Sequence, residues 1–133
     1  MSLYLDASVL VTLFVIDPSS ARAEAFLSAH PEIVVVSDFG VAEFSSAVGR
    51  RVRTRDLTRE DGQLAFSNLD TWEEITTADI DAANRILRRL DINLRTPDAI
   101  HIAISRRLDA TLVTFDRSMA AGARALGIAV AMP

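Results

Sequence analysis

Apolar residues along the chain follow two patterns: short consecutive runs, and longer segments in which they recur every three or four positions. The first pattern is typical of strands buried in a parallel sheet, and the second of helices with one face on the core. The short runs predict strands at Leu3–Leu5, Ile33–Val36, Trp72–Thr76, Ala110–Phe115 and Ile128–Val130. The periodic segments predict helices at Val9–Ile16, Ala21–Ala29, Thr58–Asp70, Thr77–Leu90, Pro97–Leu108 and Arg117–Leu126, and one more from a cap at Ser37 or Asp38 to about Val52.

The alternation of these strands and helices predicts an α/β fold around a mainly parallel sheet of four or five strands. A chain of 133 residues is long enough to bury a core, and half of its residues are apolar. Few Gly and Pro interrupt the pattern, which argues against disorder. We therefore expect one domain over residues 1–133.

The same spacing predicts which side chains are buried. The β-branched run Ile33–Val36 is typical of a strand covered on both faces. In the helices, the inward-facing residues are predicted to be Ala23, Phe26, Leu27, Val41, Phe44, Val48, Val52, Leu64, Phe66, Leu69, Ile80, Ala83, Ile86, Leu87 and Leu90.

The composition excludes several classes of protein and site. Without Cys there is no disulfide or thiolate metal site, and with only two His a histidine zinc site is not expected. All 14 basic residues are Arg, and the formal net charge of −4 does not by itself indicate a nucleic-acid-binding protein. Neither a signal-peptide pattern nor a membrane-spanning apolar stretch is present. We expect a soluble cytoplasmic protein.

Two aspartates follow predicted strands. Asp6 comes directly after Leu3–Leu5, and Asp116 comes after Ala110–Phe115. If these parallel strands are neighbours, both carboxylates reach the same edge of the sheet, which is where ligands bind in such folds. Ser8 fits the chemistry of an N-cap for the helix that follows Asp6. The alternative, that Asp simply suits strand ends and helix starts, remains open.

Two further acids lie near predicted helix starts. Glu43 borders the apolar stripe of the third helix, and Asp98 lies in the first turn of a helix with Thr96 as its N-cap and Pro97 at its first position. A helix N-terminus stabilises a carboxylate in either case, so a purely structural role stays possible for both. His101, one turn after Asp98, suits a packing role as well as a functional one.

Four acids gathered at one edge would repel one another unless a cation offset their charge. Oxygen ligands favour Mg²⁺ or Mn²⁺, which can support phosphodiester hydrolysis. Ser8 and Thr114 are candidates to orient the carboxylates from behind. Arg50 and Arg51 close the helix that carries Glu43, and they fit either a phosphate contact or an ordinary solvated face.

Four motifs together resemble PIN-domain ribonucleases, and specifically the VapC toxins of bacterial and archaeal toxin–antitoxin pairs. They are Asp6-Ala7-Ser8, Val41-Ala42-Glu43, Thr96-Pro97-Asp98-Ala99-Ile100-His101 and Leu112-Val113-Thr114-Phe115-Asp116. The resemblance covers essentially the whole chain and implies a PIN-like three-layer αβα sandwich. It implies a catalytic and metal-binding set of Asp6, Glu43, Asp98 and Asp116, with Asp6 and Asp98 as the first choice for direct Mg²⁺ ligands and Ser8 and Thr114 in support.

The resemblance also implies cleavage of RNA, a homodimer and inhibition by a cognate VapB-like antitoxin. Two other classes stay open. A PIN-like module that binds RNA or a partner without cutting would keep the same fold. An aspartyl-phosphotransfer enzyme would also place Asp at strand ends, but such enzymes normally use a Lys near the phosphoryl group, and this chain has none.

Overall fold

Four parallel strands form the central sheet of the computed structural model, which describes residues 1–67 and 72–133. The strands are β1 (Ser2–Leu5), β2 (Ile33–Val35), β3 (Ala110–Val113) and β4 (Val130–Ala131). Their order across the sheet is β2-β1-β3-β4, so β1 and β3 are neighbours in the middle. The carboxyl ends of these two strands therefore meet at one edge, as the strand-end aspartates predicted.

Helices cover both faces of the sheet. Within the described residues they are α1 (Ala7–Phe14), α2 (Ser20–Ala29), α3 (Asp38–Arg53), α4 (Arg59–Ser67), α5 (Thr77–Leu87), α6 (Thr96–Arg107) and α7 (Arg117–Ala125). Leu3 and Leu5 of β1 pack with α1 to α4 on one face, whereas Tyr4 packs with α5 to α7 on the other. This alternation follows from the two-residue period of a strand. The predicted three-layer αβα sandwich is confirmed.

Two helix starts differ from the prediction. The N-cap of α1 is Asp6 and not Ser8, because the Asp6 carboxylate accepts the backbone N–H of Val9 at 3.1 Å. Ser8 lies inside the first turn instead. The N-cap of α6 is Arg95 and not Thr96, which is already helical. Asp98 closes that turn by accepting the backbone N–H of Arg95 at 2.9 Å.

The prediction that Ile33–Val36 is covered on both faces was wrong. β2 pairs only with β1 and forms an edge of the sheet. Ile33 is 74% exposed, Val34 is exposed as well, and burial begins only at Val36 after the strand. A β-branched run has the same sequence pattern in an edge strand as in a central strand. The neighbouring strands, and not the composition, decide which of the two it forms.

The predicted inward faces hold in α3, fail in α4, and hold in α5 at Ala83 and Ile86 but not at Ile80 and Leu90. Phe44 and Val48 are buried as expected. In α4, however, the buried positions are Gly62 and Ala65, where α4 packs on α3 through small residues, and Leu64 and Phe66 are exposed.

In α5 the buried face is Asp79, Ala83 and Ile86, which turns Ile80 outward. Leu90 lies beyond the end of α5 and is 97% exposed.

Two other expectations concern the segment between α4 and α5. Trp72–Thr76 contributes a single bridge between Glu73 and Ser37 instead of a strand. Leu69 and the predicted end of the fourth long helix at Asp70 lie outside the described residues. Over residues 1–67 and 72–133, every helix is too short or too polar to cross a lipid bilayer.

Candidate active site

Asp6 lies between β1 and α1 as the N-cap of α1, and its side chain is almost completely buried. Its Oδ1 accepts hydrogen bonds from the Ser8 hydroxyl at 2.6 Å and from the backbone N–H of Val9, and its Oδ2 accepts one from the Thr114 hydroxyl at 2.5 Å. All three donors are neutral. Burial raises the pKa of the Asp6 carboxyl although the Ser8 and Thr114 hydrogen bonds oppose the shift.

Thr114 connects Asp6 to the second strand-end acid. Its hydroxyl donates to Asp6 and accepts the backbone N–H of Asp116 at 2.9 Å. Asp116 then caps α7 by accepting the backbone N–H of Met119 at 3.0 Å. The adjacency of β1 and β3 therefore brings both acids to one edge through a shared hydroxyl.

Asp98 reaches this edge from the first turn of α6, where it is buried. The exposed guanidinium of Arg95 lies 3.5 Å from Oδ2 of Asp98 and 3.4 Å from Oδ2 of Asp116, so it connects the two acids. An exposed ion pair of this kind is weak and readily rearranged. Another cation can therefore displace Arg95 from both carboxylates.

Glu43 belongs to α3 and is tied to α6 through a histidine. Its carboxylate forms a hydrogen bond with Nε2 of His101, whose Nδ1 lies 2.7 Å from the Tyr4 hydroxyl. The sequence left the role of His101 open and did not single out Tyr4. A usable signal existed, because Tyr4 alternates with Leu3 and Leu5, and a buried tyrosine hydroxyl needs a partner.

The structure thus joins Asp6, Asp98 and Asp116 at the carboxyl edge of β1 and β3 through Thr114 and Arg95, whereas Glu43 reaches α6 through His101. Within residues 1–67 and 72–133, no three Asp, Glu or His side chains stand close enough to surround one metal ion. Mg²⁺, however, commonly keeps several waters and takes only one or two carboxylates. An all-oxygen donor set with a buried acid held by neutral donors fits such an ion.

A groove of about 500 Å³ opens beside Glu43. Ser8, Glu43, Arg50 and Arg51 line it together with Asp17. Arg50 is exposed, whereas Arg51 forms an ion pair with Asp17 at 3.2 Å. The two arginines that the sequence singled out therefore border the same groove as Glu43.

Comparison with known proteins gives one family. Residues 3–125 match the PIN domain. Over 142 aligned residues the chain is 32% identical to Ribonuclease VapC46 of Mycobacterium tuberculosis, covering 99% of this chain and 98% of that protein.

The fold is shared by solved structures that include those of two bacterial proteins. VapC20 of M. tuberculosis, described as a sarcin-ricin loop cleaving toxin, superposes with a TM-score of 0.71 at 21% identity over 90% of this chain and 94% of its own. VapBC2 of Rickettsia felis, solved with a promoter DNA fragment, gives a TM-score of 0.73 at 16% identity over 100% of this chain and 99% of its own.

Proposed function

The chain belongs to the PIN-domain family and to its VapC-type ribonucleases, and from this premise we propose that it is a metal-dependent endoribonuclease, the toxin of a toxin–antitoxin pair. The observation that carries the proposal is the environment of Asp6. A carboxylate is buried at the ligand-binding edge of the sheet, three neutral donors hold it, and the Thr114 hydroxyl joins it to a second acid, Asp116. A folded protein gains nothing from such a charge unless a cation joins it.

Asp6 and Asp98 are the carboxylates that we propose to hold Mg²⁺, or Mn²⁺ in its place, with Glu43 and Asp116 completing the acidic set. Such an ion supplies electrostatic stabilisation of phosphoryl oxygens and lowers the pKa of water. The chain's own part is to orient the acids. Ser8 and Thr114 fix both oxygens of Asp6, and the Thr114 hydroxyl sets the spacing between Asp6 and Asp116.

RNA is the proposed substrate, and the groove beside Glu43 is its proposed path. Arg50 and Arg51 line that groove and are suited to contact phosphates there, since a guanidinium can donate two parallel hydrogen bonds. The ion pair of Arg51 with Asp17 would have to open, so Arg50 is the freer contact.

Cleavage of a labelled, structured RNA by the purified protein tests the proposal. We expect cutting with MgCl₂ or MnCl₂, none with EDTA, and none by the Asp98→Asn variant. Asp91→Asn is the matched control, because Asp91 is an exposed aspartate paired with Arg89 outside this site. RNA that is bound but never cut would overturn the nuclease and support a non-cleaving module.

We further propose a VapB-like antitoxin as the partner, a homodimer as the assembled state and the cytoplasm as the location. The R. felis relative was solved as a VapBC assembly, which supports the partner. A chain of 14.5 kDa should then show about twice that mass by light scattering. Co-expression with a VapB-like chain should restore growth that the toxin alone arrests, and continued arrest would contradict the pairing.

A further inference from the structure

A continuous line of hydrogen bonds runs through the protein behind Glu43. It begins at Ser37, the N-cap of α3, passes through Tyr4 of β1 and His101 of α6, and ends at the Glu43 carboxylate. Ser37, Tyr4 and His101 are each at most 1% exposed. Only the Glu43 end opens toward the groove, so three buried side chains support one partly exposed acid.

The direction of each hydrogen bond follows from what each group can donate. The Glu43 carboxylate only accepts, so Nε2 of His101 must carry a hydrogen. In a neutral imidazole Nδ1 then accepts, and the Tyr4 hydroxyl donates to it. The Tyr4 oxygen in turn accepts from Ser37, whose own oxygen accepts the backbone N–H of Gly40 at 3.0 Å. Every group in the line is satisfied by this arrangement.

The opposite arrangement leaves a gap. If both nitrogens of His101 donated, Tyr4 would have to donate to Ser37, and the Ser37 hydrogen would need a further acceptor. The hydrogen bonds of the described residues provide none for it. Burial raises the pKa of the Tyr4 phenol, which keeps that hydroxyl a donor.

The imidazole is also held from its sides. The Phe39 ring lies 5.2 Å from it and the Tyr4 ring 5.7 Å, measured between ring centroids. Gly40 packs near the ring on the α3 side, where an added Cβ would make an ordinary van der Waals contact of 3.6 Å with Cε1 of His101. The ring therefore has a defined place as well as a defined tautomer.

We propose that His101 is a positioning residue, which through its Nε2–H holds the Glu43 carboxylate at the edge of the acidic site while Tyr4 and Ser37 hold the imidazole. This inference rests on the proposed nuclease, because it gives the position of Glu43 a catalytic purpose. His101 does not touch the substrate. It sets the place of the acid on α3 relative to Asp98, which lies one turn away on α6.

Paired substitutions test the role of Nε2. A glutamine amide nitrogen can occupy the place of Nε2 and still donate to Glu43, whereas an asparagine is too short. We expect His101→Asn to lower kcat by about 10- to 100-fold with KM little changed, since small misplacements at a site cost this much. His101→Gln should restore most of that loss. Equal activity of His101→Asn and the wild type would overturn the proposal.

His30 offers a matched control. It is the other histidine of the chain. It stacks on Phe26 with ring centroids 4.0 Å apart, and its Nδ1 lies 2.7 Å from the Phe26 carbonyl. His30→Gln should leave kcat and KM unchanged. If it lowers kcat as His101→Asn does, the loss reflects general damage to the fold and the positioning role is wrong.

The ¹⁵N chemical shifts of His101 give a readout that needs no RNA. They should show a hydrogen on Nε2, and Glu43→Gln should move the Nε2 signal while leaving His30 unaffected. An Nε2 without a hydrogen would overturn the inference even in an active enzyme. A wild type that cuts no RNA while its His101 shows the Nε2–H tautomer would instead overturn the proposed function.

Discussion

Asp6 and Asp79 are both 2% exposed, yet their carboxylates have hydrogen-bond partners of different kinds. Asp79, in the first turn of α5, accepts two hydrogen bonds from the Arg107 guanidinium at 2.8 and 3.1 Å. It also forms a reciprocal capping box with Thr76. Among the residues that the structure describes, Asp6 accepts only from two hydroxyls and one backbone N–H.

The pKa values move accordingly. Burial disfavours the ionised form of Asp79, but the hydrogen bonds from Arg107 and Thr76 outweigh it and hold the pKa of that carboxyl below its usual range. At Asp6 burial wins, and the pKa is raised. The charge of Asp79 therefore stabilises the fold. The charge of Asp6 destabilises the fold, as expected of a side chain that binds a cation supplied from outside.

The largest effect should come from leaving Asp79 without its cation. Arg107→Met should lower the free energy of unfolding by about 3 kcal/mol, near the low end for a broken buried pair because Arg107 itself is partly exposed. Urea denaturation measures this. Adding Asp79→Asn should recover part of the loss. The control Arg89→Met, in the exposed pair with Asp91, should leave the midpoint unchanged.

A smaller change of opposite sign is expected at Asp6. In metal-free buffer, Asp6→Asn should leave the thermal midpoint unchanged or raise it, because it removes a buried charge and keeps a side chain of the same shape. Asp79→Asn should lower the midpoint under the same conditions. Gross unfolding of Asp6→Asn would mean that its charge stabilises the fold and that the contrast is false.

The pH dependence should separate the two acids further. A raised pKa means that the penalty of Asp6 is fully present above its folded pKa and is relieved as the pH falls toward the ordinary value of about 4. The stability difference between wild type and Asp6→Asn should shrink over that interval. Asp79 has a lowered pKa, so its contribution is present above about pH 4 and is lost below it. Urea midpoints at several pH values, without metal, measure both trends.

The smallest effect concerns the arginines of the groove. The Arg107 guanidinium is already hydrogen-bonded to the Asp79 carboxylate, whereas Arg50 is exposed beside Glu43. Arg50→Ala should weaken RNA binding and reduce the slope of log K against log salt by about one. Arg51→Ala should do less, because Asp17 already pairs with that guanidinium. An unchanged slope, equal to that of the control Arg124→Ala on α7, would make both arginines ordinary surface residues.

Features set by neighbours in sequence were predictable, and those set by distant partners were not. Asp6 and Asp116 could be assigned to one edge because each ends a short apolar run. The exposure of Ile33 could not be foreseen, since it depends on β2 lying outermost in the sheet. Asp79 was not singled out from the sequence, because its partner Arg107 lies 28 residues away on another helix. A longer separation, of 58 residues, hid the contact between Glu43 and His101.

The most direct test of the contrast is the melting temperature of the metal-free protein during titration with MgCl₂. If Asp6 holds the cation, binding to the folded state should raise the wild-type melting temperature as Mg²⁺ is added, while Asp6→Asn should show no rise. Asp79→Asn should respond as the wild type does, from a lower starting point. A wild type that ignores Mg²⁺ and Mn²⁺, or an Asp6→Asn variant that gains as much as the wild type, would contradict the account.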